Sequence, residues 1–528
     1  MKKRLTILGI ICLLSLAAII ATVFLLRDES PPQDTIVIVI PQNSFVRNMD
    51  TNYFKLWLEE QTGLALEFIY IPESMPSDYL DMMFSSGNVR ADGVFAWSSK
   101  EDYLSTLSLL QSYGEKGYIL PINEFLDGST NLEKIFQDFD GYDLKKVMTS
   151  PDGKLYFMPG LDSSESKRVG QVLWLNRSWL TKLKLTVPQT TEDLRDVLTA
   201  FKTLDPNGNG LQEEIPLAGS KNIYSRQSYN FIINAFIYND PENSHLLVKD
   251  GQVIFAPITD EWREAMKYLN NLYAEGLLSP LQFELSEQSL SQLAMEPKDL
   301  LGGFTADSIT DVLLQNSPEI ISNYVHVAPL SGPDGVRLAM AKSPMPKPAG
   351  IITATSKNPA AVFRLFDLML SEKAFLIGRY GEKSTDWVEA FSTDIDSYGN
   401  KATVRVINQL GNKVQNKHIC EMGPFFAYPK YADGVTFSGF EADHEYVNAR
   451  AYRVYEQYKP KEYIKTLLFE NAQDWQTLRR AIDAYTDESI EAFITGKKDP
   501  FNDAVWAEHL RKYRDMDIDE LTRAASTT

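Results

Sequence analysis

The sequence predicts an α/β fold, and three observations carry that prediction. Residues 35–40 (TIVIVI) form an unbroken β-branched run, the pattern of a strand buried on both faces of an α/β sheet. Strand and helix patterns then alternate through residue 97. The chain is also of ordinary globular composition, 44% hydrophobic and 23% charged, too apolar for disorder.

Taken in order, residues 52–61 place Phe54, Trp57 and Leu58 at helical i, i+3, i+4 spacing, and Thr62-Gly63 stops that helix. Residues 64–71 read as a second strand. A helix over 79–84 ends at Ser85-Ser86-Gly87, and residues 93–97 (GVFAW) read as a third strand. Strand–helix–strand–helix–strand predicts a parallel sheet with right-handed crossovers. Further on, Thr190-Thr191-Glu192-Asp193 has the form of a capped helix start, with Leu194, Val197, Leu198 and Phe201 on one face. Residues 262–274 and 360–370 predict similar amphipathic helices, and residues 474–521 predict a largely helical end.

The chain has 528 residues, enough for two to four units with sizeable cores. Its 71 acidic side chains outnumber 52 basic ones, giving a formal charge of −19. No basic stripe supplies the positive footprint that nucleic acid requires, so nucleic acid is excluded as a partner. Cys12 and Cys420 cannot make a disulfide framework, and five scattered histidines do not suggest a histidine metal site.

Lys2, Lys3 and Arg4 precede an uncharged stretch over residues 5–26. As a helix it spans about 33 Å, enough for the hydrocarbon core of a membrane. The basic flank before it and Asp28-Glu29 after it place the N-terminus in the cytoplasm and the body outside. Retention as an anchor is the expectation. Ser15-Leu16-Ala17 offers a loose signal-peptidase site, and Cys12 a lipidation site that lacks the small residue usual before it. All three fates export the same body, which begins after a linker at 28–34.

The most specific local chemistry is Asp205-Pro-Asn207-Gly-Asn209-Gly-Leu211-Gln-Glu213-Glu214. Asp, Asn and Asn at positions 1, 3 and 5 direct three side-chain oxygens to one centre, and Gly208 and Gly210 permit the tight turn. Leu211, at position 7, offers its backbone carbonyl. Position 12 is Pro216 where an EF-hand has glutamate, so Glu213 and Glu214 are expected to close the shell. Oxygen donors alone select calcium over zinc, in a structural role. The competing reading is an ion-free Asn/Gly turn.

Several other stretches extend in order along the chain. They include Asn52 through Gly63, Phe84-Ser-Ser-Gly-Asn-Val-Arg-Ala-Asp92, Trp174-Leu-Asn-Arg-Ser-Trp179 and Val187-Pro188. Beyond the Asp205 loop come Tyr273-x-Glu-Gly-Leu, Ser356-Lys-Asn-Pro-Ala, Phe366-Asp367, Tyr380-Gly381 with Trp387, and Phe493-Ile-Thr-Gly-Lys497. Together these resemble the extracellular solute-binding proteins of family 1, the carbohydrate receptors of bacterial ABC importers, and within them the large lipoprotein-type and alginate-binding-like group. Arg90-Ala91 stands where that family usually has proline, and the lipobox is missing.

The resemblance implies a two-lobed periplasmic-binding-protein-like α/β fold with a ligand cleft between lobes. The expected lobes are 35–162 with 351–420, and 163–350 with 421–528. It also implies a calcium site at Asp205, Asn207, Asn209, the Leu211 carbonyl, Glu213 and Glu214. The implied function is capture of a carbohydrate, expected to be an oligosaccharide, by lobe closure and delivery to permease subunits at the outer face of the cell membrane. Another polar solute, such as a peptide, stays open, because this fold hosts many ligands.

Sugar sites pair aromatic platforms with polar partners. Trp97 at a predicted strand end, Trp387 after a Tyr-Gly turn, Tyr156 near the first lobe crossing and Phe304 beside Gly302-Gly303 are the candidate ligand-facing aromatics, each weighed against core packing. Phe425, Phe426 and Tyr428 are weaker candidates, and Trp174 and Trp179 read as core. The chain is read as a non-enzyme: HExxH, P-loop and GxSxG patterns are absent. A glycoside hydrolase would need two carboxylates about 5–10 Å apart, which 71 acidic residues cannot discriminate. An anchored sensor that passes its ligand signal to a membrane kinase is the other alternative.

Overall fold

The computed structural model describes residues 35–72, 76–86, 89–95, 103–139, 142–313, 318–408, 410, 413–419, 421–437, 440–464 and 472–525. The segment expected to anchor the chain in the membrane, Cys12, Cys420 and Trp97 lie outside them. Among the described residues no helix is long and apolar enough to cross a membrane.

The predicted opening is observed. β1 (Thr35–Pro41), β2 (Ala65–Ile71) and β3 (Gly93–Phe95) alternate with helices Tyr53–Thr62 and Pro76–Ser85. The first helix starts where the Asn52 side chain accepts the N–H groups of Phe54 and Lys55, and it stops at Gly63 in the left-handed region. β1 pairs in parallel with both β2 and β3, and all of its β-branched side chains are buried. β4 (Met158–Asp162) follows further along the chain.

The remaining strands are β5 (Val172–Asn176), the hairpin β6 (Leu246–Lys249) and β7 (Gln252–Phe255), β8 (Gly303–Ala306), β9 (Tyr324–Val327) and β10 (Lys347–Ile352). β11 (Trp387–Glu389), β12 (Val404–Val406), β13 (Phe425–Ala427) and β14 (Val435–Thr436) complete the set. The largest sheet has the order β13-β4-β10-β3-β1-β2. The three opening strands are parallel, as predicted, and the whole sheet is mixed: β10 runs antiparallel between β3 and β4, because the chain enters it on return from the second half of the molecule. A second sheet, β8-β5-β9, is antiparallel throughout.

Each of these sheets organises its own core. Ile38, Val39, Ile40, Phe95 and Phe366 belong to the first, and Leu173, Trp174, Phe201, Trp262 and Phe304 to the second. The helix Thr191–Thr203 starts with the predicted capping box, and Leu194, Val197, Leu198 and Phe201 are buried as the periodicity requires. The C-terminal helix Ala472–Ile494 spans both cores, with Ile482 in the first and Ile490, Phe493 and Ile494 in the second. A small sheet, β11-β12-β14, has a separate core around Trp387, Val404 and Val406.

Among the described residues three segments carry the chain between the large sheets: 163–171 after β4, 341–346 before β10, and 428–437 after β13. The first two are bonded antiparallel, with Gly170 donating to the Met340 carbonyl and Lys342 to the Arg168 carbonyl, each at 3.0 Å. Ser163 Oγ donates to the Ala427 carbonyl at 2.8 Å, which joins the third. The expected boundary at residue 420 therefore moves: β13 pairs with β4 in the first sheet, and the chain crosses only after Ala427. Gly350 likewise pairs with Phe95 in that sheet.

Candidate ligand cleft and cation loop

The sheet directions define one edge of the first lobe. β1, β2 and β3 run parallel and end at Pro41, Ile71 and Phe95. β10 is antiparallel to β3 and to β4, and β13 is parallel to β4. The carboxyl ends of β4 and β13 and the amino end of β10 therefore lie on that same edge, where the three crossings leave and enter. Carboxyl strand ends at a crevice are where open α/β sheets take ligands.

That edge holds a recess of about 510 Å³ at the ends of β1 and β2. Gln42, Arg47, Asn48, Asp50, Tyr70 and Met422 are among its lining residues. Tyr70 is 47% exposed although it is a large aromatic on a sheet strand. Burial first, and then the Asp50 carboxylate, raise its hydroxyl above the usual tyrosine range, so it stays a neutral hydrogen-bonding group. The loop that supplies the other side chains is fixed by its own turns. Asn43 Oδ1 accepts from Phe45 N–H, Asn48 Oδ1 from Asp50 N–H, and Arg47 N–H donates to the Gln415 carbonyl.

The end of β8 in the second sheet is charged and lies beside the second crossing. Asp307, directly after β8, accepts from Ser225 Oγ at 3.2 Å and lies 3.7 Å from Lys342 Nζ. Lys342 is in the second crossing and is also 3.5 Å from Glu242. Burial and then Asp307 push Asp311 to about 7. Asp307 itself is held low: burial works against its charge, but the hydrogen bond with Asp311 and the Lys342 ammonium outweigh it. Hydroxyl-rich ligands are recognised by mixed acceptors and donors of this kind. Neither edge was legible as a site in the sequence, because its members come from segments far apart in the chain.

Three of the four expected ligand aromatics are packing groups here. Phe304 is fully buried in β8 against Tyr324, with ring centroids 5.0 Å apart. The Gly302-Gly303 pair beside it serves close packing instead of ligand approach: a Cβ on Gly302 would lie 2.5 Å from the Pro216 carbonyl oxygen and 2.6 Å from the Phe201 ring. Trp387 is 5% exposed and its indole N–H donates to the Gly381 carbonyl at 3.0 Å. Tyr156 is fully buried, with its hydroxyl on Asp152 at 2.7 Å. Trp174 and Trp179 are buried, as the apolar runs around them suggest.

The Asp205 loop folds as its spacing requires. Asp205, Gly208 and Gly210 all adopt positive φ, at 48°, 79° and 79°. Asp205 Oδ1 accepts from Gly208 and Asn209 N–H, its Oδ2 from Gly210 N–H, and Asn209 Oδ1 from Leu211 N–H. Glu213 Oε1 accepts from Asn209 Nδ2 at 2.9 Å, and Lys182 Nζ braces the loop through the Pro206 carbonyl at 2.7 Å. Leu211 turns its side chain to solvent, leaving only backbone to offer a cation. Glu214 is 9% exposed and neither of its carboxylate oxygens has a hydrogen-bond partner among the described residues. A buried carboxylate without a partner is costly, and a hard cation is the partner that an oxygen-only donor set would take. No group of three or more His, Cys, Asp or Glu side chains placed to hold a metal occurs among the described residues. Three of the loop's six expected donors are amide or backbone oxygens.

The fold is shared with solved two-lobed solute-binding proteins. The chain aligns over 93% of its length with the Streptococcus pneumoniae ABC-transporter substrate-binding protein FusA in complex with kestose, covering 98% of that chain at a TM-score of 0.70 and 21% identity. An EF-hand mutant of FusA in complex with fructo-nystose gives a TM-score of 0.71 at 21% identity, over 93% of this chain and 98% of that one. An extracellular solute-binding protein from Bifidobacterium longum subsp. infantis gives 0.73 at 20% identity, over 95% of this chain and 98% of that one. In sequence, the chain is 34% identical over 237 residues to the fructooligosaccharide ABC transporter substrate-binding protein FusA of Streptococcus pneumoniae, 43% of this chain and 41% of the relative. The curated relatives are matched over less than half their length, 41% to 46%. No family model matches the chain. The resemblance read from the sequence is borne out: FusA is a fructooligosaccharide ABC transporter substrate-binding protein, and YtcQ of Bacillus subtilis, 23% identical over 239 residues, is a polygalacturonan/rhamnogalacturonan-binding protein.

Proposed function

We propose that this chain captures an extracytoplasmic oligosaccharide between its lobes and delivers it to the permease subunits of an ABC importer. The observation that carries the reading is the edge of the first sheet: the crossings leave and enter there, the recess at β1 and β2 opens there, and Lys342 in the second crossing lies 3.7 Å from Asp307 after β8. Bending of three short segments would close one lobe on the other and exclude water from the sugar. FusA, the relative with 34% identity, supports the choice of carbohydrate, and kestose or fructo-nystose are therefore sensible first ligands. No covalent step belongs to this reading.

The same reading assigns calcium to the Asp205 loop, held by Asp205, Asn207, Asn209, the Leu211 carbonyl, Glu213 and Glu214, as a staple between helix Thr191–Thr203 and the strand-like segment at Ile215. Bound there, calcium supplies charge to match the buried Glu214. Residues 5–26 would hold the body at the outer face of the membrane, and Trp97, which lies outside the described residues, is proposed as an aromatic ligand partner.

A thermal-shift screen of the full chain against neutral and uronic oligosaccharides, followed by chromatography of the recovered sugar, tests the reading. A dose-dependent rise with one sugar recovered intact supports a receptor. Sugar cleavage would overturn it in favour of a hydrolase, and a rise with peptides alone would overturn the carbohydrate assignment.

A further inference from the structure

We propose that the recess at the carboxyl ends of β1 and β2 is a sugar-ring subsite of the first lobe, with Tyr70 as its stacking platform and Gln42, Arg47 and Asp50 as hydroxyl partners. The proposal rests on the carbohydrate reading above and goes beyond it by naming the residues of one wall.

Three independent features lead to it. The first is position. The strand directions put the recess on the edge of the first sheet where the three crossings leave and enter, with β1 and β2 at the opposite end of the strand order from β4, β10 and β13. The second is the exposed ring. Tyr70 is paired in register with Ile40 near the end of β2, yet its ring is half open to solvent. Among the described residues the other exposed aromatics, Phe391, Tyr446 and Phe501, do not line this recess. A sugar's C–H face packs on an aromatic ring as other apolar groups do, while a tyrosine tip tolerates water.

The third feature is the supply of polar groups. Arg47 and Asp50 are exposed and form no ion pair among the described residues, in a chain where most partly buried cations do. Gln42 is exposed beside them. An amide, a guanidinium and a carboxylate around one ring provide donors and acceptors for adjacent hydroxyls without committing the site to one charge. The volume, about 510 Å³, falls in the range of small-molecule sites, roughly 300–1,000 Å³.

The test is calorimetric titration of the full chain, in detergent, with kestose and then with whichever sugar of the thermal-shift panel binds. Y70A should weaken binding at least tenfold with an unchanged melting temperature, and Y70F should stay within about twofold of wild type, because the ring and not the hydroxyl is the platform. Wild-type affinity in Y70A, with wild type itself binding, would overturn the subsite and leave the carbohydrate reading intact. Should Y70A fail to fold, the R47A/D50A double variant decides: a tenfold loss supports the proposal and unchanged affinity overturns it. If wild type binds no sugar of the panel, the carbohydrate reading fails and the subsite with it.

Discussion

Asp433 accepts the backbone N–H of Glu165 through both carboxylate oxygens, each at 3.1 Å, and so ties the third crossing between the lobes to the first. Burial is the main reason its carboxyl is pushed up to about 7, with Glu165 and Asp162 adding repulsion. A carboxyl raised in the folded state stabilises it fully below its unfolded value near 4, and that stability is lost as pH rises through about 7. D433N keeps an acceptor without the charge. It should stabilise the protein by about 1–2 kcal/mol at pH 8.5, discounted for partial solvent access, and the gain should shrink toward pH 4. Denaturant titrations of both proteins across pH 4–9 check this; a pH-independent difference would contradict it.

The cation loop predicts a different dependence. Chelation should lower the melting temperature and added calcium restore it, by about 2.7 kcal/mol at a hundredfold excess over the dissociation constant. E214Q should lose most of that response while folding normally without calcium, because the two orphaned oxygens would no longer carry charge. A melting curve insensitive to verified metal removal would rule out a stabilising ion.

Asp367 explains one of the sequence resemblances physically. Its carboxylate accepts from Ser129 Oγ at 2.7 Å, Leu132 N–H at 2.9 Å and the side chains of Thr130 and Asn131 at 3.1 Å, capping the helix Asn131–Asp138 from a distant segment. Burial opposes the charge, but the Leu132 N–H and Ser129 hydroxyl outweigh it and lower the carboxyl below its usual range. Its contribution is therefore present above the unfolded value and lost as pH falls through the depressed one. D367N should cost about 1.5–3 kcal/mol at pH 7, the range for hydrogen bonds to a charged group, and less in acid. Equal cost at every pH would contradict the assignment.

Local features were legible in the sequence. β1, the Thr190 capping box and the glycine turns of the Asp205 loop depend on residues within a few positions of one another, and they stand where the patterns put them. Long-range pairing was not. β10 and β13 join strands that are distant in sequence, and three-residue β13 carries no periodicity to reveal itself. The same limit governs the site. Phe304 looks accessible because glycines precede it, whereas Gly302 admits Phe201 and Trp179 and Gly303 admits Leu175. Tyr70 looks like one more strand aromatic, and only the pairing of β2 with β1 places it beside the loop that follows β1.

The central claim is that an oligosaccharide closes the two lobes on each other. Small-angle scattering of the full chain, before and after saturation with the oligosaccharide selected by thermal shift, measures it most directly. A smaller radius of gyration with intact sugar recovered is the predicted result. Saturated binding with an unchanged scattering curve would contradict closure as the mechanism of capture.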